Sequence, residues 1–121
     1  MTPFINLKEQ LKYFNHDKEI AMIVSESFLE SVPSMINELN DTLVNNNQNL
    51  FIDKIHALKG AIGVFGPNPF FDYVKKYYFD VQQNPDLCIT IENFNQIKMM
   101  FLQFEFEIKS FVKYLENNSL E

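Results

Sequence analysis

Residues 94–115, FNQIKMMFLQFEFEIKSFVKYL, decide the fold most clearly, because their large apolar residues recur at alternating spacings of three and four. An α-helix has about 3.6 residues per turn, so this spacing places those residues in one stripe along one helix face. The stretch therefore predicts a long amphipathic helix that must bury its stripe against a neighbour. The stripe consists of Phe94, Ile97, Phe101, Phe104, Ile108, Phe111 and Leu115.

Two helices are predicted in the first third of the chain. Thr2 offers an N-cap and Pro3 the first helical position of a short helix. After a polar turn, a longer apolar pattern runs from residue 21 to about residue 44. Pro33 lies inside this pattern and is expected to kink the helix, because proline removes one backbone hydrogen bond; a split into two helices is the alternative.

Two more helices are predicted between residues 51 and 83. The first carries an apolar stripe and ends at Gly66-Pro67, a C-terminal glycine followed by a residue that cannot continue the helix. The second starts at Asn68-Pro69 with a new N-cap and proline, and stops at residues 83–85. The stripe of the first of these helices is Phe51, Ile55, Leu58, Ile62 and Phe65.

The fold class expected from these patterns is all-α. Sustained period-two alternation, the signature of strands, is missing from the sequence. Four amphipathic helices joined by short turns bury their stripes most simply against one another, which predicts an antiparallel up-down four-helix bundle with a short extra N-terminal helix. We expect residues 1–119 to form a single domain, with Leu120-Glu121 as a tail left by cloning.

Composition and charge narrow the function. The 121 residues are 46% hydrophobic and carry a formal net charge of −6, with 10 Lys+Arg against 16 Asp+Glu. This balance argues against a nucleic-acid partner and against a polybasic membrane surface. A single cysteine, Cys88, excludes an internal disulfide and favours a cytoplasmic location. We expect a monomer without a membrane segment, a metal site or a cofactor of its own.

His56 opens the stretch HALKGAIGVFG, residues 56–66, which contains all 3 glycines of the chain. Each glycine inside a helix costs about 1 kcal/mol relative to alanine. On a helical wheel His56 points about 140° away from the apolar stripe, Gly60 about 180° and Gly63 about 120°. The absence of side chains at these two positions leaves the imidazole open to a partner, although Gly63 could instead permit close helix packing.

The stretch resembles the motif of the histidine-containing phosphotransfer (HPt) domain, His-x-Leu-Lys-Gly with a further glycine downstream. The matching residues are His56, Leu58, Lys59, Gly60 and Gly66. The similarity extends over nearly the whole chain, because the order of a long helix, a polar turn, the histidine helix, a glycine break and two more helices also matches the four-helix bundle of that family.

The resemblance implies a phosphocarrier rather than an enzyme. His56 would take a phosphoryl group on a ring nitrogen from an aspartyl phosphate of one receiver domain and pass it to another. An imidazole suits this role because it is largely neutral at pH 7 and keeps one ring nitrogen free as a nucleophile. Lys59 would balance the charge of the phosphoryl group and Gly60 would leave room for it. The partners implied are response-regulator receiver domains or a hybrid histidine kinase, and the receiver would supply the metal ion.

One position departs from the family pattern. Many members carry Gln or Glu on the following helix, twenty-two positions after the histidine, where it hydrogen-bonds the imidazole. This chain has Tyr78 there, a candidate for orienting the ring through its hydroxyl group. The surface expected to dock a receiver surrounds His56 and consists of Ile52, Asp53, Gly63, Lys75 and Gln82.

Two other functions stay open at this point. The chain could be the phosphoacceptor domain of a larger sensor or chemotaxis-type histidine kinase, in which ATP on another domain is the donor. It could also be a helical interaction module that is not phosphorylated, although the intact motif argues against this. Of the remaining candidates, Asp53 and His56 alone are too few ligands for a metal, His16 is expected at a helix start, and Cys88 has no basic neighbour to activate it.

Overall fold

The computed structural model describes residues 2–83 and 91–118, and the fold of these residues is all-helical, as predicted. The described part of the chain contains no strand. None of its helices is both long enough and apolar enough to cross a membrane. Cys88 and Leu120-Glu121 lie outside the described residues. The helices are α1 (Leu7–Tyr13), α2 (Lys18–Val44), α3 (Gln48–Gly63), α4 (Pro69–Gln83) and α5 (Ile91–Asn118).

The predicted start of the first helix at Thr2-Pro3 is wrong. Helix α1 begins at Leu7, and its N-cap is Asn6, whose side chain accepts a hydrogen bond from Glu9 N–H. The residues before it are not helical because their backbone finds partners on α5. The N–H groups of Phe4 and Ile5 each donate to Oε1 of Glu107 at 2.9 Å. The N-terminal segment is thereby attached to the last helix.

Helix α2 is continuous through Pro33, so the chain does not split into two helices there. Its N-cap is Asp17, whose Oδ1 accepts from Ile20 N–H at 3.0 Å. His16 itself does not cap the helix; it lies in the preceding turn with a positive φ of 62°. Asn47 caps α3 in the same way, so the polar turn predicted after α2 is short.

Helix α3 ends at Gly63, three residues before the predicted stop. Val64 is its C-cap, and Gly66 follows in the left-handed region at φ 84°. The N–H of Gly66 still donates to the carbonyl of Gly63 at 3.0 Å, which closes a turn after the helix. Helix α4 begins at Pro69 as predicted, and Asn68 caps it, because its Oδ1 accepts from the N–H groups of Phe70 and Phe71.

The core forms where the apolar stripes meet. Helix α2 packs against α3 and α5, and α4 packs against α3 and α5. The rings of Phe28, Phe65 and Phe104 meet edge to face at centroid distances of 5.3 to 5.7 Å, a favourable arrangement for aromatic pairs. Every residue of the two stripes quoted above is buried, including Phe65, which follows the end of α3. The buried stripe of α3 turns the opposite face of that helix, with His56, toward solvent.

Candidate functional site

His56 lies on the solvent-facing side of α3, where the spacing of the apolar residues predicted it. Its side chain is exposed, while its neighbours Ile55 and Leu58 are almost completely buried. The helix therefore anchors the backbone beside the imidazole and leaves the ring accessible. A ring nitrogen presented in this way can be approached by a group on another protein.

Tyr78 of α4 contacts His56 through its aromatic ring. The two ring centroids are 5.0 Å apart and the ring planes are inclined by 38°. Among the described residues, no hydrogen bond joins the Tyr78 hydroxyl to the imidazole. The contact is therefore one between rings, and it differs from the hydrogen bond through the hydroxyl that the sequence suggested.

Lys59 contacts the same tyrosine. Its Nζ lies 5.0 Å from the centroid of the Tyr78 ring, within the range of a cation–π interaction. Lys59 and His56 are three residues apart on one face of α3, so one ring on α4 receives both side chains. Ring, imidazole and ammonium group form a cluster of three side chains, which we call the Tyr78 cluster.

Gly60 and Gly63 have different surroundings. A Cβ atom at Gly60 would find nothing within 4 Å, so this position is open space beside His56. A Cβ atom at Gly63 would lie 3.0 Å from Cε1 of Phe71 on α4. Of the two roles that the sequence left open for Gly63, the contact with Phe71 supports close helix packing.

The other predicted surface residues lie on both sides of this cluster. Ile52 is half-buried and lines a narrow crevice between α3 and α4 together with Tyr78. Asp53 on α3 and Lys75 and Gln82 on α4 are exposed. The structure thus leaves the three polar residues accessible and places Ile52 at the helix junction.

A groove between α2 and α3 was missed by the sequence analysis. Its volume is about 280 Å³, and it includes Ala61 of α3 and Val64, the C-cap of that helix, which follow His56 by five and eight residues. Ile23, at the edge of this groove, is 62% exposed. The sequence does contain an indication of it, because Ile23 falls outside the spacing of the buried residues of α2, such as Phe28 and Val32. The groove is lined by Ile23, Val24, Ser27, Phe28, Ser31, Ala61 and Val64.

An exposed ion pair borders the other end of the α2–α3 contact. Nζ of Lys54 lies 3.0 Å from Oε2 of Glu38, and both side chains are partly open to solvent. Such exposed pairs contribute little to stability. Lys54 is therefore paired with a residue of α2, whereas the ammonium group of Lys59 contacts the ring of Tyr78 beside His56.

Comparison of the chain with models of protein families, with curated proteins and with solved structures finds no match. The arrangement of the residues around His56 offers an exposed nucleophile, an open position one turn further along the helix, and a lysine held close by on an aromatic ring.

Proposed function

We propose that this chain is a histidine phosphotransfer protein in which His56 carries a phosphoryl group between aspartyl-phosphate receiver domains. The observation that carries the proposal is the exposed imidazole of His56 beside Gly60, where an added Cβ would meet nothing within 4 Å. A glycine in an exposed helix interior weakens the helix by about 1 kcal/mol and improves no packing here. Access to the histidine accounts for it.

The proposal includes the arrangement of the helices. We infer an antiparallel four-helix bundle of α2, α3, α4 and α5, with α1 packed on it. Each of the four helices contacts two others of the set, α2 with α3 and α5, and α4 with α3 and α5, which is the closed pattern of such a bundle. A bundle of this kind is rigid enough to hold one exposed histidine in a fixed position.

The transfer step needs one nucleophile from this chain. A neutral ring nitrogen of His56 attacks the phosphorus of the receiver's aspartyl phosphate. A P–N bond forms while the acyl phosphate P–O bond breaks, and the aspartate leaves as a carboxylate with the electron pair of that bond. The reverse reaction with a second receiver returns the imidazole to its free form. The chain acts as a carrier, and the receiver provides the metal ion.

Lys59 serves this step from its position on Tyr78. A cation–π contact at a partly exposed site stabilises by roughly 0.5–1 kcal/mol, so the ammonium group can leave the ring when a stronger partner arrives. A phosphoryl group with nearly two negative charges on the adjacent imidazole is such a partner. The ring of Tyr78 thus keeps Lys59 close to His56 before the phosphoryl group is present.

The receiver would dock over the open surface around Gly60. On one side of His56 this surface includes the exposed polar residues Lys75 and Gln82 of α4. On the other side it includes the groove between α2 and α3, where Ile23 and Val64 expose apolar side chains. A surface with apolar contacts and a polar margin is typical of transient protein interfaces.

A labelling experiment tests the proposal. The chain is incubated with receiver domains phosphorylated by acetyl phosphate, and separately with phosphoramidate, a phosphoryl donor that needs no receiver. We expect an acid-labile, base-stable label that disappears in His56→Ala. The matched control is His16→Asn, because asparagine tolerates the positive φ of residue 16 and this is the other of the 2 histidines. Absence of label in both incubations, or label retained by folded His56→Ala, would overturn the proposal.

The Tyr78 cluster gives a separate prediction for the rate of transfer. Tyr78→Phe should transfer at nearly the wild-type rate, because it keeps the ring that contacts His56 and Lys59. Tyr78→Ala should be slower by roughly tenfold, the factor that corresponds to losing one aromatic pair. Single-turnover transfer from a phosphorylated receiver measures both rates.

The matched control for this prediction is Phe106→Ala, which truncates an aromatic residue that is 69% exposed on α5, a helix outside the surface around His56. It should leave the rate unchanged. Equal losses in Tyr78→Phe and Tyr78→Ala would show that the hydroxyl group, and not the ring, positions the imidazole.

A further inference from the structure

The outer face of α5 carries three large apolar side chains that the fold does not cover. Met99 is 62% exposed, Leu102 54% and Phe106 69%. On a helical wheel they lie about 140° to 200° from the buried stripe of the same helix. They are therefore additional to the residues that α5 needs for its own packing.

These residues form a short seam. Their spacings of three and four place them in one line about 10 Å long, the pattern by which one helix covers another. One flank of the seam is closed, because Gln103 donates to the carbonyl of Thr2 and to Glu107. The other flank carries Lys98 and Glu105, which have no ion-pair partner among the described residues.

We propose that α5 of a second copy of this chain covers the seam in antiparallel orientation. A two-fold axis beside Leu102 would place this residue against its symmetry mate and Met99 against Phe106 of the other copy. The same register brings Lys98 opposite Glu105 of the other copy, twice by symmetry. A parallel pair would not bring Lys98 opposite Glu105. Its two-fold axis runs along the helices and sets the flank that carries these two residues against the flank of Gln103.

Residues at the ends of the seam fit the same register. Lys113 falls opposite Glu92 of the other copy, and Lys109 falls opposite the uncharged Asn95. The two-fold arrangement thus joins opposite charges and opposes no like charges along the helix. This charge complementarity identifies a second copy as the occupant, since an unrelated helix would match the alternation of Lys98 and Glu105 only by coincidence.

The interface is small, so the dimer should be weak. A stable interface buries about 1,200–2,000 Å² in total, and one helix pair with three apolar residues per copy falls at or below the lower end. We expect a dissociation constant on the order of 100 µM. The sequence led us to expect a monomer, and the chain would be one at low concentration.

The proposal does not rest on phosphotransfer. Helix α5 packs on α2 and α4, whereas His56 and Gly60 lie on the outer face of α3. A dimer through α5 would leave His56 accessible in both copies. Its success or failure is therefore measured independently of any labelling result.

Sedimentation of the full chain, from roughly 10 µM to roughly 500 µM, tests the proposal across the expected dissociation constant. The mass should rise toward that of a dimer with increasing concentration. Leu102→Glu should remain monomeric throughout. Lys98→Glu and Glu105→Lys should each weaken association by roughly tenfold, because each sets like charges opposite each other.

The variant with both exchanges, Lys98→Glu and Glu105→Lys, is the decisive one. It restores opposite charges in the antiparallel register and should regain most of the wild-type association. The matched control is Lys76→Glu on α4, which makes the same charge change on another exposed face. A wild-type chain that stays monomeric at the highest concentration would overturn the proposal. Association that the double exchange does not recover would overturn the antiparallel register.

Discussion

Replacing Gly60 with leucine should preserve the fold and slow phosphoryl transfer to His56 by at least about a hundredfold, the cost of a displacement of about 1 Å between reacting groups. The structure supplies the reason for both parts. A Cβ atom at position 60 would meet nothing within 4 Å outside its own helix backbone, so a side chain there finds space and stabilises the helix. Helical side chains lean toward the N-terminus, so leucine at position 60 would cover the surface beside His56, one turn earlier.

Two measurements separate access from stability. Urea denaturation should show Gly60→Ala and Gly60→Leu more stable than wild type by about 0.7–1 kcal/mol. Single-turnover transfer should show a small loss for the alanine variant and a large loss for the leucine variant. Gln96→Leu, an exposed position on α5, is the control for an added leucine. Transfer at the wild-type rate by folded Gly60→Leu would contradict the inference that Gly60 keeps the surface beside His56 open.

The long-range helical patterns were predictable because burial follows helical periodicity directly. On α5, Phe94, Phe104 and Leu115 were assigned to the stripe from spacing alone, and all three are buried. The start of the first helix was not predictable in this way. Thr2-Pro3 is a sound local signal for a helix start, but the Glu107 carboxylate, more than 100 residues away, accepts hydrogen bonds from the backbone of this segment, which is not helical.

In the candidate site, too, one part could be predicted from the sequence and another part could not. The exposure of His56 follows from its position relative to the stripe on its own helix, so the wheel was sufficient. The surroundings of Gly63 and Tyr78 depend on which side chains α4 brings to α3. Sequence reasoning could pair Tyr78 with His56 by analogy, but it could not distinguish a contact through the ring from one through the hydroxyl.

At the end of α3, the sequence predicted the role of the glycine but not the last residue of the helix. The sequence identified Gly66 as the residue at which the chain leaves the helix, and its φ of 84° is the conformation that glycine adopts most easily. The helix nevertheless ends at Gly63, and two residues of turn come between. Termini of helices depend on local hydrogen bonds that spacing does not encode, such as that from Phe65 N–H to the Ile62 carbonyl at 3.1 Å.

Gly66→Ala should destabilise the protein by about 2–3 kcal/mol, opposite in sign to Gly60→Ala. One part of this cost comes from the backbone conformation, because holding a residue with a Cβ atom in the left-handed region reduces the free energy of unfolding by roughly 1–2 kcal/mol. The other part is steric, since the new Cβ would lie 2.6 Å from Cε1 of Tyr13. Urea denaturation of the two alanine variants measures both effects on the same scale.

A double-mutant cycle with Tyr13→Ala separates the two parts. The Tyr13 ring is 51% exposed, so it can move away from the new methyl group, but it would lose its edge-to-face contact with Phe14, at a centroid distance of 5.5 Å. In the Tyr13→Ala background the steric part is absent, and Gly66→Ala should cost only the backbone part, about 1–2 kcal/mol. An undiminished cost there would assign the whole effect to the backbone conformation. A cost near zero would show that the turn after α3 adapts to a side chain, in which case Gly66 is required only to make room for Tyr13.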